Sequence, residues 1–124
     1  MQAWQRLFAA GAALAALAIA AGAFGAHALK RRLDADMLTI FETGARYHLF
    51  GALGVMAVAL AAAHGVRATT PGWLIAAGTV IFAGTLYALA LSGARWWGAI
   101  TPIGGTAMLI GFAWIAIAAF TSPR

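Results

Sequence analysis

Four long apolar runs decide what this chain can fold into. Leu7–Leu29 carries no charge before Lys30, Phe41–Ala63 has polar residues only in its first two turns, and Pro71–Leu91 and Pro102–Phe120 follow. A helix needs about 20 apolar residues to cross the hydrocarbon core of a bilayer, and each run has roughly that length. The segments between them are so short that neighbouring helices must be antiparallel. The pattern predicts one all-α domain over residues 1–124, an integral membrane bundle of four antiparallel transmembrane helices. Only 9% of the residues are charged, against about 25% in a soluble domain that must face water on every side.

The few charges suit a membrane boundary. Eight Lys and Arg stand against three acids, for a net charge of +5, and they fall mostly between the apolar runs. That placement points to phosphate headgroups as partners and away from nucleic acid. Trp4 and Trp73 fall at one membrane face and Trp96 and Trp97 at the other, the aromatic belt of a four-span protein. No cysteine is present, so disulfides and thiolate chemistry are excluded. The first run exceeds a signal-peptide core and is followed at once by a basic cluster, so it reads as a retained helix although Ala26-His27-Ala28 resembles a cleavage site.

Three local signals mark helix starts. Thr70-Pro71 and Thr101-Pro102 each place a hydroxyl at the N-cap before a proline at the first helical position. Thr39-Ile-Phe-Glu42 reads as a capping box for the second helix.

Helices in lipid associate by close backbone approach and polar contacts, since lipid tails are as apolar as leucine. On a helical wheel Ala9, Ala13, Ala16, Ala20 and Ala23 share a stripe with His27, which predicts that Ala16 and Ala20 pack. On the second helix Gly44, Gly51, Val55, Val58 and Ala62 share a face with His48. Glu42, Arg46, Leu49, Leu53, Met56 and Leu60 occupy the opposite, lipid-facing side. Gly22, Gly25, Gly104 and Gly105 lie in or at the ends of apolar helices, where they serve packing rather than a phosphate loop.

The residues that could carry chemistry are few. Glu42 and Arg46, four apart with the acid first, have the favourable order for a helical ion pair and are expected to compensate each other near the membrane surface. His27 ends the first helix near the start of the second, so it is expected to approach His48 and hydrogen-bond with it. Two imidazoles without a carboxylate or thiolate fall short of a metal site. Tyr47 and Tyr87 read as interface or interhelical hydrogen-bond residues. His27, Glu42, Arg46, Tyr47 and His48 form the candidate polar cluster; no catalytic set, metal or cofactor is expected.

Four segments resemble a known family in order along nearly the whole chain. They are Gly22-Ala-Phe-Gly-Ala-His27 with Ala-Leu-Lys30, Phe41-Glu-Thr-Gly-Ala-Arg-Tyr47, Gly84-Thr-Leu-Tyr-Ala-Leu-Ala-Leu-Ser-Gly93, and Gly98-Ala-Ile-Thr-Pro-Ile-Gly-Gly105. Together they resemble the family called domain of unknown function 423, whose eukaryotic relatives are called transmembrane protein 256. The resemblance implies a four-helix membrane protein and supplies no reaction. By this resemblance relatives often carry histidine where this chain has Gly51, glutamine where it has His48, and serine where it has Ala83.

The functional expectation is a noncatalytic accessory, scaffolding or assembly protein of the cell membrane, bound to another membrane protein or to a second copy. The alternative is a small transporter or proton-linked channel using Glu42, Arg46, His48 and His27, as four spans suffice in the small multidrug resistance transporters. Lys30, Arg31 and Arg32 in the first loop and Arg95 in the third oppose Arg6, Arg67 and Arg124. The positive-inside rule then predicts cytoplasmic first and third loops and both termini outside. A single cysteine at Ser122 should label with an impermeant thiol reagent in intact cells, while one at Asp36 should be protected. The opposite pattern reverses the orientation.

Overall fold

The computed structural model describes residues 1–123; Arg124, counted above among the charges beside the termini, lies outside the described residues. Four helices carry the chain: α1 (Ala3–His27), α2 (Ala35–Ala63), α3 (Thr69–Ser92) and α4 (Thr101–Thr121), all long and apolar enough to cross a membrane. Short 3₁₀ segments, Leu29–Arg31 and Arg95–Ala99, occupy parts of the first and third loops. Among the described residues there is no strand. The fold is an all-α membrane bundle with antiparallel neighbours.

The helix starts differ from those expected. α2 begins at Ala35, because the Asp34 side chain accepts a hydrogen bond from the Met37 backbone at 2.8 Å and caps the helix there. Thr39 is consequently inside the helix, its hydroxyl donating to the Ala35 carbonyl at 2.9 Å, and Glu42 completes no cap. An acid at the N-cap both satisfies an orphan N–H and meets the positive end of the helix dipole, so it prevails over a threonine five residues later. α3 starts at Thr69 after Ala68, and α4 at Thr101 after Ile100, with no side-chain cap at either. Thr70 and Thr101 are therefore not caps. Pro71 and Pro102 are still accommodated, because the whole first turn lacks intrahelical partners for its N–H groups. At its other end α3 closes on Gly93, whose φ of 73° is left-handed.

With 29 residues, α2 is roughly 43 Å long. A hydrocarbon core of about 30 Å is shorter than this helix, and the polar residues Asp36, Thr39 and Glu42 make its first turns the end suited to headgroups.

The helices form a row rather than a closed ring. α1 packs on α2, α2 on α3 and α3 on α4, with a minor contact of α1 with α3. Leu7, Val55, Val58, Ala59, Ile75 and Ala76 make one core cluster, and Leu29, Phe41 and Ala90 make another at the opposite end. Between them the backbones approach closely. A Cβ built on Gly104 would lie 2.7 Å from the Gly78 carbonyl oxygen, and one on Gly78 would lie 2.7 Å from that of Gly104. On Gly51 it would collide with the Thr79 side chain, and on Gly44 it would lie 3.1 Å from the Tyr87 ring. Buried small residues recur every seven positions: Gly11, Ala18 and Gly25; Gly44, Gly51 and Val58; Ala76, Ala83 and Ala90; Gly104, Gly111 and Ala118. Seven-residue spacing keeps one seam against a neighbouring helix over several turns.

The α1 seam corrects the expected one. Ala9, Ala13, Ala16, Ala20, Ala23 and His27 are all exposed, and a Cβ on Gly22 would have nothing within 4 Å. Leu7, Gly11, Ala15, Ala18 and Gly25 face the bundle instead. Alanine occupies several faces of α1, so small size alone did not distinguish them; the ends of the true seam are Gly11, lying on Val55 and Met56, and Gly25, lying on Phe41. Met56 is thereby partly covered, while Leu53 and Leu60 remain exposed on the outer face of α2.

Leucine at Gly104 or Gly51 should lower stability by about 1–3 kcal/mol through overpacking. Leucine at Ala16 or Ala20 should change it by no more than about 0.5 kcal/mol. Thermal melts in detergent check the ranking, and an equal loss at Ala16 would contradict the seam.

Candidate functional site

The polar centre of the protein is a contact between α2 and α3. His48 is buried, and its Nδ1 lies 2.9 Å from the Tyr87 hydroxyl; the tautomer decides which group donates. The sequence places both groups. Gly44, one turn before His48, lets the Tyr87 ring lie against the α2 backbone. Phe41 packs on the same ring, with centroids 4.7 Å apart, and Phe41 in turn fills the space opposite Gly25. Leu14 of α1 lies at the same point, lining a recess together with His48 and Tyr87. The recess has a volume of about 160 Å³ and is walled also by Thr79, Ala83 and Gly84.

Other buried hydroxyls are also engaged. Thr79 donates to the Ile75 carbonyl at 2.8 Å. Thr85 and Thr101 meet at 2.6 Å between α3 and α4. Among the described residues no buried side-chain nitrogen or oxygen lacks a hydrogen-bond partner, as expected where water is absent and an unpaired polar group is costly.

The expected cluster does not assemble. His27 is exposed at the end of α1 and does not meet His48. Gly25 faces Phe41, and His48 lies seven residues further along α2, roughly 10 Å deeper. Glu42 and Arg46 share the outer stripe of α2, both exposed, and among the described residues neither takes part in an ion pair. Side chains that point outward have no need to hold one mutual geometry, and doing so would cost rotamer entropy. Tyr47 is also outward, its ring edge-on to Phe50 and Phe82 at 5.5 and 5.4 Å. Of the five cluster residues only His48 is inside.

Sequence reasoning marked Tyr87 for an interhelical hydrogen bond but paired His48 with the wrong group. The Thr85–Thr101 tie is not anticipated from the sequence, which offers Thr101 only as a cap, although a threonine within an apolar helix is itself a signal of a bond to a neighbouring turn or helix. Among the described residues no three His, Cys, Asp or Glu side chains gather as metal ligands would. The three acids, Asp34, Asp36 and Glu42, all lie in the first loop or early in α2. The His48–Tyr87 pair is a hydrogen bond between ring and hydroxyl that ties α2 to α3.

Intramembrane hydrogen bonds average about 0.6 kcal/mol in double-mutant cycles and reach about 1.7. Tyr87→Phe and His48→Leu should therefore couple by an amount in that range, whereas Glu42→Gln and Arg46→Met should add within about 0.5 kcal/mol. Thermal melts of both cycles test this; strong coupling between Glu42 and Arg46 would restore the ion pair.

Comparison with known proteins agrees with this architecture. The family described as protein of unknown function DUF423 matches residues 21–105. The UPF0382 membrane protein YwdK of Bacillus subtilis is 44% identical, covering 88% of this chain and 91% of its own. A UPF0382 membrane protein of Haemophilus influenzae is 42% identical, covering 84% and 85%. The UPF0382 inner membrane protein YgdD of Escherichia coli is 36% identical, covering 86% and 82%. No solved structure matches the chain. Four transmembrane-capable helices and relatives matched along most of their length place this chain in the DUF423 family, a family of membrane proteins whose function is unknown.

Proposed function

We propose that the chain is a noncatalytic accessory or scaffolding protein of the cell membrane, acting through lateral association with another membrane protein or with a second copy. One observation carries this reading: every buried polar side chain described is engaged within the bundle. His48 is held by Tyr87 and Thr85 by Thr101, so these groups link helices. The carboxylates lie outside the middle of the spans, which disfavours a carrier that must protonate an acid inside the membrane. The row arrangement supports association, because α1 and α4 each have only one major neighbour and offer their remaining faces sideways. In this reading the first and third loops, with Lys30, Arg31, Arg32 and Arg95, face the cytoplasm.

Purification in mild detergent tests the proposal. A stoichiometric membrane-protein partner or a defined oligomer is expected, and the protein alone in liposomes should carry no proton-coupled uptake. Uptake that is abolished by Glu42→Gln, with stability unchanged, would overturn the accessory reading in favour of transport.

A further inference from the structure

The row of helices has a geometric by-product. α2 and α4 both pack on α3 and scarcely touch each other, so a groove runs between them with α3 as its floor. It has a volume of about 590 Å³ and is walled by Thr43, Tyr47 and Phe50 of α2 and Gly105, Met108 and Phe112 of α4, over Phe82 of α3.

The groove has two unlike ends. At depth it is stopped by Phe112, whose ring tip would lie 2.5 Å from a Cβ built on Gly54, so this ring rests on the α2 backbone. Towards the first and third loops its wall includes Thr43 and Tyr47, the two hydroxyl-bearing residues of the lining. The Thr43 hydroxyl donates to the Thr39 carbonyl. That of Tyr47 has no hydrogen-bond partner among the described residues, while its ring is fixed by Phe50 and Phe82. From Thr43 to Gly54 the helix rises roughly 16 Å. One leaflet of the hydrocarbon core is about 15 Å thick. The groove therefore matches the depth of a single leaflet.

Two features tune it. Gly104 and Gly105 are adjacent but differ in role. A Cβ on Gly104 would strike the α3 backbone, whereas one on Gly105 would lie 3.4 Å from the Phe82 ring in ordinary contact. Helix packing thus requires glycine at 104; glycine at 105 widens the groove. Arg46 does not line the groove but precedes the lining residue Tyr47 and lies one turn from Phe50, exposed and without an ion pair among the described residues. Its long side chain can run along the apolar surface and place the guanidinium among headgroups. Lys30, Arg31, Arg32 and Arg95 belong to the loops at this same end, so cations outnumber the three acids there.

We propose that the α2–α4 groove is a binding site for an anionic glycerophospholipid from the leaflet on the side of the first and third loops. One acyl chain lies over Phe82 and ends at Phe112. The phosphate is met by the Arg46 guanidinium and the Tyr47 hydroxyl. A guanidinium matches phosphate oxygens in bidentate geometry, which a zwitterionic headgroup offsets with its own cation.

Native mass spectrometry of the purified protein in neutral detergent, titrated with dioleoyl phosphatidylglycerol or dioleoyl phosphatidylcholine, tests this. Phosphatidylglycerol should bind more tightly, and Arg46→Gln should remove roughly five-fold of that preference, the effect of one cation near an anionic headgroup. Gly105→Leu should weaken both lipids by filling the groove, while Gly22→Leu on the open surface of α1 should change neither. Equal binding of the two lipids by the unaltered protein would overturn the proposal. So would a preference that survives Arg46→Gln but is lost when Lys30, Arg31 and Arg32 are all changed to Gln. If Gly105→Leu melts early without lipid, Arg46→Gln decides, since Arg46 is exposed and makes no ion pair among the described residues.

Discussion

The structure depends on backbones touching where side chains are missing. In water, two apolar helices are driven together by the surface they hide; in lipid that gain vanishes, because tails cover the same surface equally well. What remains is dispersion, which requires contact at close range over many atoms. Gly78 and Gly104 supply it between α3 and α4, Gly51 against Thr79 between α2 and α3, and Gly11 and Gly25 between α1 and α2. Each interface thus has its own point of near contact, and the larger core residues such as Leu7 and Ile75 fill the space that this spacing defines.

Polar ties reinforce two of the three interfaces. The His48–Tyr87 contact spans α2 and α3, and the Thr85–Thr101 contact spans α3 and α4. α3 takes part in both and has buried residues along most of its length, so it is the helix on which the others are organised. The outer stripe of α2 behaves differently. Glu42 and Arg46 point away from the bundle and answer to headgroups and water rather than to the fold.

Much of the architecture was legible from apolar run length alone, because the hydrocarbon core imposes a minimum span. The helix ends were less legible. Thr39 and Thr70 look like caps, yet Asp34 supplies a better one for α2, and the first turn of α3 absorbs Thr70 and Pro71 without help. The packing face of α2 could be read because glycine and leucine separate cleanly around it. That of α1 could not, since alanine stands on nearly every side. The polar cluster failed for a related reason: sequence spacing says which residues share a helix face but not the depth at which two helices meet. Gly25 opposite Phe41 sets that depth and leaves His27 far from His48.

The row also bears on how the protein comes to be made. Every major interface joins helices adjacent in the chain. No helix must wait for a distant partner to make its major interface, and none of these major interfaces encloses a long loop whose closure would cost entropy. α1 and α2 can pair as a hairpin before α3 has left the ribosome, α3 can then dock on α2, and α4 can complete the series. Such local connectivity favours rapid folding. It gives the molecule the assembly logic of a stacked repeat, extended one element at a time from its N-terminal end.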